Sequence, residues 1–425
     1  MLDINLIVER PGYVAKSLAK KNYHVDFTEC IGWVENRRQT LGESEQLKAE
    51  KNTLIKELQM RKQKKEDFSE ILERLSEIKK DIGRADPQVK ELTTKIHEFL
   101  IQLPNMPDDD VVGGGKENNK ILRTYGQKPG LDFEFKDHMH LAKSLDLIDY
   151  QRGAKMGGHG FWVYKGKGAI LEWALLNYFI SEHLKDGYTF LLPPHILNQE
   201  SGYAAGQFPK FADDVFALNQ PNKEQNKFLL PTAETALVNY HRDEILQEES
   251  LPRKYFAYTP CYRKEAGSYR TEEKGMIRGH QFNKVEMFQY TKPEASADAL
   301  QELLGKAEKL VQGLELHYQL TLLAAEDCSA AMRKTYDVEV WIPSMNGYKE
   351  VTSASNAGDY QARRGNIKFK KTGRKAAYVH TLNASGLATS RILPALLEQH
   401  QNEDGSVTIP KALHHFTGFE TLMAS

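Results

Sequence analysis

The first hundred residues carry a regular alternation of apolar and polar positions. From residue 71, apolar side chains follow one another at steps of four and three residues, at Ile71, Leu75, Ile78, Ile82, Ala85, Val89, Leu92, Ile96, Phe99 and Leu103. This spacing is that of a coiled-coil seam and predicts a long helix that packs against a partner helix. Pro87 lies off the seam but lacks a backbone N–H, so we expect a break or kink there.

The segment from about residue 30 to residue 66 is also helical in composition, with a weaker seam at Leu47, Leu54 and Leu58. The polar run at residues 61–67 predicts the turn between the two helices. Two helices of about 30–35 residues that fold back on each other form an antiparallel arm about 45–50 Å long. We expect this arm, at about residues 30–100, to belong to an N-terminal domain of residues 1–110.

The amino-acid composition changes after the arm. Two prolines, three aspartates and three glycines between residues 104 and 115 indicate a linker. Beyond it, residues 168–184 predict a helix, and seven β-branched or aromatic runs predict strands at 188–192, 227–230, 255–259, 285–290, 337–342, 348–353 and 377–382. These runs favour an α+β domain over residues 111–425, with an antiparallel sheet flanked by helices. The sequence contains neither GxxxxGK[ST] nor a GxGxxG after a strand, so P-loop and Rossmann nucleotide sites have no support.

Composition narrows the class of protein. The chain has 425 residues and a net charge of −1, which excludes attachment to nucleic acid by bulk charge. Three cysteines far apart in sequence form no CxxC pair, so we expect no disulfide framework, no zinc site and a reducing compartment. No targeting segment and no membrane-spanning segment is apparent in the sequence, so we expect a cytoplasmic protein that does not bind membranes.

The first limb of the arm has a local excess of positive charge. Residues 37–65 contain nine Lys and Arg against four Glu. Such a surface suits a phosphate backbone, although any coiled coil has a solvated charged face, and composition alone leaves both possibilities open.

Polar residues on predicted strands supply the candidate chemistry. Arg263 and Glu265 precede a glycine-punctuated loop, and Phe282 and Glu286 lie on the returning strand. Two-residue parity predicts that all four share one face of the sheet. A guanidinium, an aromatic ring and two carboxylates could together hold a phosphate, a purine and an ammonium group.

Two further segments carry charged or hydroxyl groups. Glu350 and Ser353 could present oxygen ligands to a hard cation such as Mg²⁺. Arg391 lies in the first turn of a helix that follows a strand and a glycine. A cation beside a helix N-terminus makes a good anion site.

These motifs together resemble the class II aminoacyl-tRNA synthetases, and the whole chain resembles the bacterial-type seryl-tRNA synthetases. Residues 168–194 match motif 1, residues 262–286 match motif 2, and residues 386–391 match motif 3 of that class. Segments typical of the serine family lie between them, at residues 206–211, 231–234, 353–356, 361–364 and 404–410. The N-terminal hairpin resembles the tRNA-binding arm of this family.

The resemblance implies a nucleotide site on an antiparallel sheet. The residues implied to bind ATP are Arg263, Lys264, Glu265, Gly279, Phe282, Glu350, Val351, Thr352, Ser353 and Arg391. Arg263 and Arg391 are the implied catalytic residues: Arg263 would bind the α-phosphate, and adenine would lie between Phe282 and Arg391. Glu350 and Ser353 would hold Mg²⁺.

The resemblance also implies the remaining partners. L-serine would lie against Thr232, Ala233, Glu234, Arg263, Glu286 and Ser385. The family forms homodimers and charges tRNA(Ser), and typically also tRNA(Sec). On the arm, the residues implied to contact tRNA are Arg37, Arg38, Lys48, Lys51, Arg61, Lys62, Lys64 and Lys65.

Three other interpretations remain open at this point. A class II synthetase of different specificity is one, although a threonine enzyme of the usual type would need Cys and His zinc ligands that the sequence does not offer. A paralogue that loads an amino acid onto a carrier other than tRNA would be expected to lack the arm. A non-catalytic scaffold would be expected to have lost at least one of Arg263, Glu265, Glu286, Glu350 and Arg391, all of which are present.

Overall fold

The computed structural model describes residues 1–130, 132–218, 226–265 and 275–423. The chain divides into two compact units. The smaller unit contains Leu2–Lys16 and His24–Leu103, and the larger contains Met1, Ser17–Tyr23 and Pro104–Ser425.

The smaller unit is built around two long helices. Its helices are α1 (Ile4–Glu9), the first part of α2 (Pro11–Ala19), α3 (Thr28–Lys64) and α4 (Ser69–Gln102). Every predicted seam position from residue 71 to residue 103 is buried or half-buried. Contacts that join the start of α3 to the end of α4 and the reverse, such as Arg37 to Thr93 and Glu50 to Arg74, make the pair antiparallel. The predicted helical arm is therefore present.

Two details of the predicted arm are wrong. Helix α3 continues through most of the predicted turn and ends at Lys64, and the reversal is made by Lys65, whose φ of 56° is left-handed. The basic residues there are good helix formers, so polarity alone did not end the helix. The predicted break at Pro87 is also absent, because α4 is helical on both sides of it, whereas the kink stays a prediction. Packing of the seam against α3 outweighs the one backbone hydrogen bond that proline removes.

The larger unit contains the remaining elements. Its helices are α5 (His138–Ser144), α6 (Tyr150–Gly157), α7 (Lys167–Lys185), α8 (Gln199–Ala205), α9 (Ala233–Leu237), α10 (Ser296–Gly313), α11 (Tyr360–Arg364), α12 (Thr389–Gln399) and α13 (His414–Thr417). Its strands are β1 (Lys120–Tyr125), β2 (Ile148–Asp149), β3 (Val163–Tyr164), β4 (Thr189–Leu191), β5 (Ile196–Asn198), β6 (Ala217–Leu218), β7 (Lys227–Leu229), β8 (Ile245–Gln247), β9 (Arg253–Tyr262), β10 (Gln281–Thr291), β11 (Tyr318–Leu322), β12 (Lys334–Ile342), β13 (Gly347–Gly358), β14 (Lys368–Lys370), β15 (Ala377–Tyr378), β16 (His380–Ala388), β17 (Val407–Thr408) and β18 (Thr421–Leu422).

An eight-stranded sheet dominates this unit, with the order β1-β11-β12-β13-β16-β10-β9-β4. Neighbouring strands are antiparallel except β4 and β9, which run parallel. Helices α7, α10 and α12 contribute to the largest hydrophobic core together with this sheet. The predicted antiparallel sheet flanked by helices is confirmed.

The strand predictions differ from the structure in two respects. The run at 377–382 belongs to two strands: β15 lies in a small sheet with β14, whereas β16 lies in the large sheet. Val379 between them is buried and its N–H donates to the Ile367 carbonyl, which separates the two strands. Strands β1 and β11 of the large sheet were not predicted, nor were the strands of two or three residues β2, β3, β5, β6, β8, β14, β17 and β18. Strand β1 is exposed along its whole length and lacks alternation.

Candidate functional site

Strands β9 and β10 place the first set of candidate residues. Phe282 and Glu286 lie on β10 with even spacing, so they share a face. Arg263 follows the last residue of β9, and its guanidinium carbon lies 5.3 Å from the centre of the Phe282 ring. Its Nε donates to the Pro231 carbonyl at 3.1 Å. A cation next to an aromatic face therefore stands at this end of the hairpin.

The residues after Arg263 depart from the predicted parity. Glu265 has a left-handed φ of 51°, so alternation along a strand does not determine where its side chain lies. Its carboxylate is 3.0 Å from Nε of Arg278, on the other side of the loop. Lys264 is exposed, and its N–H donates to the Asp214 carbonyl. The loop at 266–274 lies outside the described residues.

Gly279 occupies a position that admits no side chain. A Cβ at this residue would come within 2.1 Å of the Trp162 ring. The backbone of this segment can therefore come close to its neighbours, which is the usual reason for a glycine beside a binding site.

A β-bulge explains how Glu350 and Ser353 come together. Val338 pairs with Thr352 and Glu339 pairs with Glu350, so Val351 is an extra residue on β13. The bulge resets the alternation, which would otherwise send residues three apart to opposite faces. As a result the Ser353 hydroxyl donates to Glu350 Oε1 at 3.1 Å. Val351 itself is buried in the hydrophobic core, so only its backbone can face a ligand.

Arg391 lies where it was expected, in the first turn of α12. Its Nη1 donates to the Glu350 carbonyl at 2.9 Å and lies 3.3 Å from Glu350 Oε2. Its Nε donates to the Ile277 carbonyl at 3.4 Å. Desolvation raises the pKa of Glu350, but Arg391 and the Ser353 hydroxyl outweigh it and hold that pKa below its ordinary value.

Asp337, which was not predicted as a site residue, also belongs to this group. It pairs with Ser353 across β12 and β13, it is 7% exposed, and its Oδ1 has no hydrogen-bond partner. Burial, and then the charge of Glu350, raise the pKa of Asp337 well above its ordinary value. Two carboxyl groups and a hydroxyl in one place, with an unsatisfied oxygen, fit a hard cation such as Mg²⁺. The sequence signal was weak, because Asp337 shares its strand with a second carboxylate, Glu339.

A second cluster surrounds Glu286, which is fully buried. It forms an ion pair with Lys284, two residues earlier on β10. Lys284 Nζ donates to the Thr232 hydroxyl at 2.7 Å, and that hydroxyl lies 3.1 Å from Glu286 Oε2. Lys284 was not predicted as a site residue, although a lysine within a buried strand is unusual and could have indicated it.

Glu234 lies beside Glu286 at the start of α9. The Asn383 amide bridges the two carboxylates at 3.4 Å and 3.1 Å, and Gln361 donates to Glu234 Oε1 at 2.7 Å. Burial, and then the charge of Glu286, raise the pKa of Glu234 to about 7. Neither amide was predicted to line the site, because the two come from different elements, β16 and α11. Ala233, next to Glu234, is fully buried.

The two clusters meet at Ser385. This residue pairs with Glu286 across β16 and β10, and its carbonyl accepts from the Thr352 hydroxyl at 2.6 Å. The site therefore places Arg263 and Arg391 next to two carboxylates, the fully buried Glu286 and the half-buried Glu234. Its charges suit a ligand with an anionic end and a cationic end.

Comparisons with known proteins decide the family. A family model described as "tRNA synthetase class II core domain (G, H, P, S and T)" matches residues 216–400, and one described as "Seryl-tRNA synthetase N-terminal domain" matches residues 1–107. Serine--tRNA ligase 2 of Clostridium acetobutylicum is 59% identical, covering 99% of this chain and 100% of that protein. The chain belongs to the seryl-tRNA synthetase family. The predicted class of enzyme, a serine–tRNA ligase, is thereby confirmed.

Other members of the seryl-tRNA synthetase family support this assignment. The serine--tRNA ligase of Petrotoga mobilis is 43% identical, with 99% of each chain covered. The crystal structure of seryl-tRNA synthetase from Pyrococcus horikoshii complexed with ATP has a TM-score of 0.92 and 35% identity, with 100% of each chain covered. The full-length similarity leaves no support for a carrier-loading paralogue without an arm.

The basic residues predicted on the seryl-tRNA synthetase arm differ in their partners and in their exposure. Lys48 is paired with Asp86 on α4, Arg61 is paired with Glu57, and Arg37 donates to Thr93. Lys62, Lys64 and Lys65 are exposed at the end of the arm. Of the other two predicted residues, Arg38 is exposed and Lys51 is half-buried.

Among the described residues, no group of three or more His, Cys, Asp or Glu is arranged to hold a metal ion. The three cysteines are free and buried. No helix in the described ranges is both long and apolar enough to span a membrane.

Proposed function

We propose that this chain activates L-serine with ATP on the large sheet and transfers the seryl group to tRNA. The observation that carries the proposal is the pair of carboxylates Glu234 and Glu286, joined by the Asn383 amide, with the charge of Arg263 near enough to offset part of the rise in the pKa of Glu234 that burial and Glu286 cause. An amino acid has an ammonium group for the carboxylates and a carboxylate for the guanidinium. An amino acid therefore carries the two charges that complement this site.

The first step would be adenylate formation. A serine carboxylate oxygen attacks the α-phosphorus of ATP, and the bond from that phosphorus to the bridging oxygen of pyrophosphate breaks. Arg263 would bind the α-phosphate and the serine carboxylate, since its planar guanidinium can donate to both. This step needs no protein nucleophile, because alignment and charge neutralisation supply the acceleration.

The nucleotide would be held by groups on both sides of its ring. Adenine would lie between the Phe282 ring and the Arg391 guanidinium, with Glu265 and the backbone near Gly279 at its edge. The backbone at Val351 and Thr352 would line the same site, as would Lys264. Mg²⁺ held by Glu350 and Ser353 would neutralise phosphate charge.

Serine would be selected by the carboxylate cluster. Its ammonium group would meet Glu234 and Thr232, and its hydroxyl would meet Glu286 and Ser385. A site that hydrogen-bonds a hydroxyl rejects an analogue without one by about 10⁴–10⁵, because its buried polar groups would be left unpaired.

The second step would transfer the seryl group. A terminal ribose hydroxyl of tRNA attacks the carbonyl carbon of the adenylate, and AMP leaves with the bonding electrons. We propose tRNA(Ser), and also tRNA(Sec), as acceptors that bind the arm chiefly through phosphate contacts. The basic residues named above on the arm would make those contacts.

We also propose a cytoplasmic homodimer. Helix α7 exposes the apolar residues Ile170, Trp173 and Leu184 by 46%, 53% and 53%, and it matches the segment predicted as motif 1. Exposed apolar residues of this size support a surface for a second copy. Light scattering on the purified chain would measure the mass directly, and a monomer would contradict this part.

Exchange of pyrophosphate into ATP tests the proposed function, run with each of the twenty amino acids and without tRNA. We expect exchange with serine and only background with alanine and threonine. Exchange with a different amino acid would keep the fold and refute the pocket assignment. No exchange with any amino acid would refute the activation step.

A further inference from the structure

A buried carboxyl group outside the clusters described above joins two elements of the nucleotide site. Glu172 lies in the second turn of α7 and is 3% exposed. Its Oε1 accepts from the Thr389 hydroxyl at 2.6 Å and from the Asn283 amide at 2.7 Å. Burying a carboxyl group costs free energy unless the group is well hydrogen-bonded, so a buried glutamate in this helix indicates a specific role.

The two partners of Glu172 are neighbours of the proposed adenine-binding residues. Asn283 follows Phe282 on β10, and Thr389 is the first residue of α12, two residues before Arg391. One oxygen atom therefore connects the strand that carries the ring with the helix that carries the guanidinium. Stacking on both faces of adenine requires a fixed gap, because dispersion contacts weaken within 1 Å of the best distance.

We propose that Glu172 is a positioning residue for nucleotide binding, which sets the separation between the Phe282 strand and the Arg391 helix. The proposal rests on the proposed function, since that places adenine between those two residues. Glu172 acts through Asn283 and Thr389 and does not itself touch the nucleotide.

A second, longer hydrogen bond joins the strand and the helix directly, and it limits how much ATP binding should weaken when Glu172 is lost. The Thr389 hydroxyl also lies 3.2 Å from the Asn283 carbonyl. It has one proton, so loss of Glu172 would let it donate there instead. We therefore expect a loosened site and weaker binding, not complete loss.

The second oxygen of Glu172 makes a conservative variant possible. Oε2 takes no part in the link to Asn283 and Thr389, and the Tyr164 hydroxyl is near this carboxyl group. Burial raises the pKa of Glu172 to about 7, so the neutral acid is well populated at neutral pH. Glutamine keeps the accepting oxygen and the volume, so Glu172→Gln should preserve both hydrogen bonds.

The test is calorimetric titration of the full-length chain with Mg²⁺·ATP and, separately, with serine. We expect Glu172→Ala and Thr389→Val each to raise the dissociation constant for ATP about tenfold and that for serine less than twofold. Glu172→Gln and Thr389→Ser should stay within about twofold of the parent for both ligands. The double variant Glu172→Ala/Thr389→Val should bind ATP no more weakly than Thr389→Val alone, because Thr389→Val already removes both hydrogen bonds that this hydroxyl can make.

Glu182→Ala is the matched control, since Glu182 is on the same helix and pairs with Lys185 and Lys309. It should leave both dissociation constants unchanged. The proposal is overturned if Thr389→Val folds and binds ATP normally, if ATP and serine weaken equally, or if Glu172→Gln is as damaging as Glu172→Ala. A parent chain that binds ATP without serine-dependent exchange would refute the proposed function but leave these comparisons decisive, whereas a parent that binds no ATP would overturn the inference as well.

Discussion

The ion pairs of the arm are exposed, whereas an ion pair of the large sheet is buried. On the arm, Lys48 and Asp86 pair with side chains that are 49% and 54% exposed. On the sheet, Lys284 and Glu286 pair with side chains that are 8% and 0% exposed. An exposed pair contributes about 0–1 kcal/mol, whereas breaking a buried pair costs about 3–5 kcal/mol.

This difference indicates what each region is suited for. Exposed arm cations can exchange their partners for the phosphates of a nucleic acid at little cost. The buried charges of the sheet cannot be rearranged cheaply, so they are pre-organised for a ligand with fixed charges. This assignment would be contradicted if arm charges were needed for amino-acid activation, or if sheet charges were not.

The largest effect is expected from Arg263. Arg263→Ala should lower the rate of serine-dependent pyrophosphate exchange about 10²–10³-fold, because a positioned donor to the developing charge is lost. Arg263→Lys should recover little of it, since lysine cannot donate in two directions within one plane. Arg74→Ala is the matched arginine on the arm, where Arg74 pairs with Glu50, and should leave exchange within twofold. Similar losses in both regions would contradict the comparison.

Double-variant cycles measure the two ion pairs directly. Lys284→Met and Glu286→Gln should each lower the free energy of unfolding by about 3–5 kcal/mol, since each leaves one buried charge unpaired. The double variant should recover a large part of that loss while remaining inactive with serine. The same cycle on Lys48 and Asp86 should give a coupling energy of about 1 kcal/mol or less. Equal coupling energies, measured by chemical denaturation, would refute the distinction.

The arm was predictable from sequence because its pattern is local. The ten seam positions from Ile71 to Leu103 follow one helical period, and each is buried or half-buried. The end of α3 was missed because it depends on the left-handed Lys65, which no periodicity encodes. The continuity of α4 at Pro87 was missed because packing against α3 decided it.

The site was predictable only in part, for a different reason. The motif residues were found, but the bulge at Val351 that brings Glu350 to Ser353 exists only once β12 and β13 are paired. Asn383 and Gln361 reach Glu234 from distant parts of the chain, 149 and 127 residues away. Sequence spacing carries no information on such contacts, so the supporting residues of the pocket had to come from the structure.

Pro87→Ala tests whether the packing of its seam keeps α4 helical at a residue that disfavours a helix. The change restores one backbone N–H in a continuous helix and should stabilise α4 locally by about 1–3 kcal/mol. Amide exchange of the peptides around residue 87, followed by mass spectrometry, should slow by about tenfold or more. Gln88→Ala next to it should have little effect. Faster exchange in Pro87→Ala would mean that the proline is required by the local structure.

The smallest effect is a pH dependence of serine binding. The pKa of Glu234 is raised to about 7, so between pH 6 and pH 8 its ionised fraction should rise about tenfold. The KM for serine should fall by about the same factor, because the ionised form attracts the ammonium group. Because its folded pKa lies above its unfolded pKa, Glu234 lowers stability as pH rises from about 4.5 to about 7, by about 3 kcal/mol. Glu234→Gln should flatten both profiles, and a KM that rises with pH would contradict the assignment.

Paired assays on one arm variant test most directly whether the charges of the arm serve tRNA binding while those of the sheet serve amino-acid activation. The variant Lys62→Ala/Lys64→Ala/Lys65→Ala would be compared with Lys79→Ala/Lys80→Ala, which removes two exposed lysines from α4. Serine-dependent pyrophosphate exchange should stay within twofold in both. Charging of tRNA(Ser) should fall about tenfold or more only in the first, with a weaker dependence on salt. Loss of exchange together with charging, or normal charging in the first variant, would contradict the account.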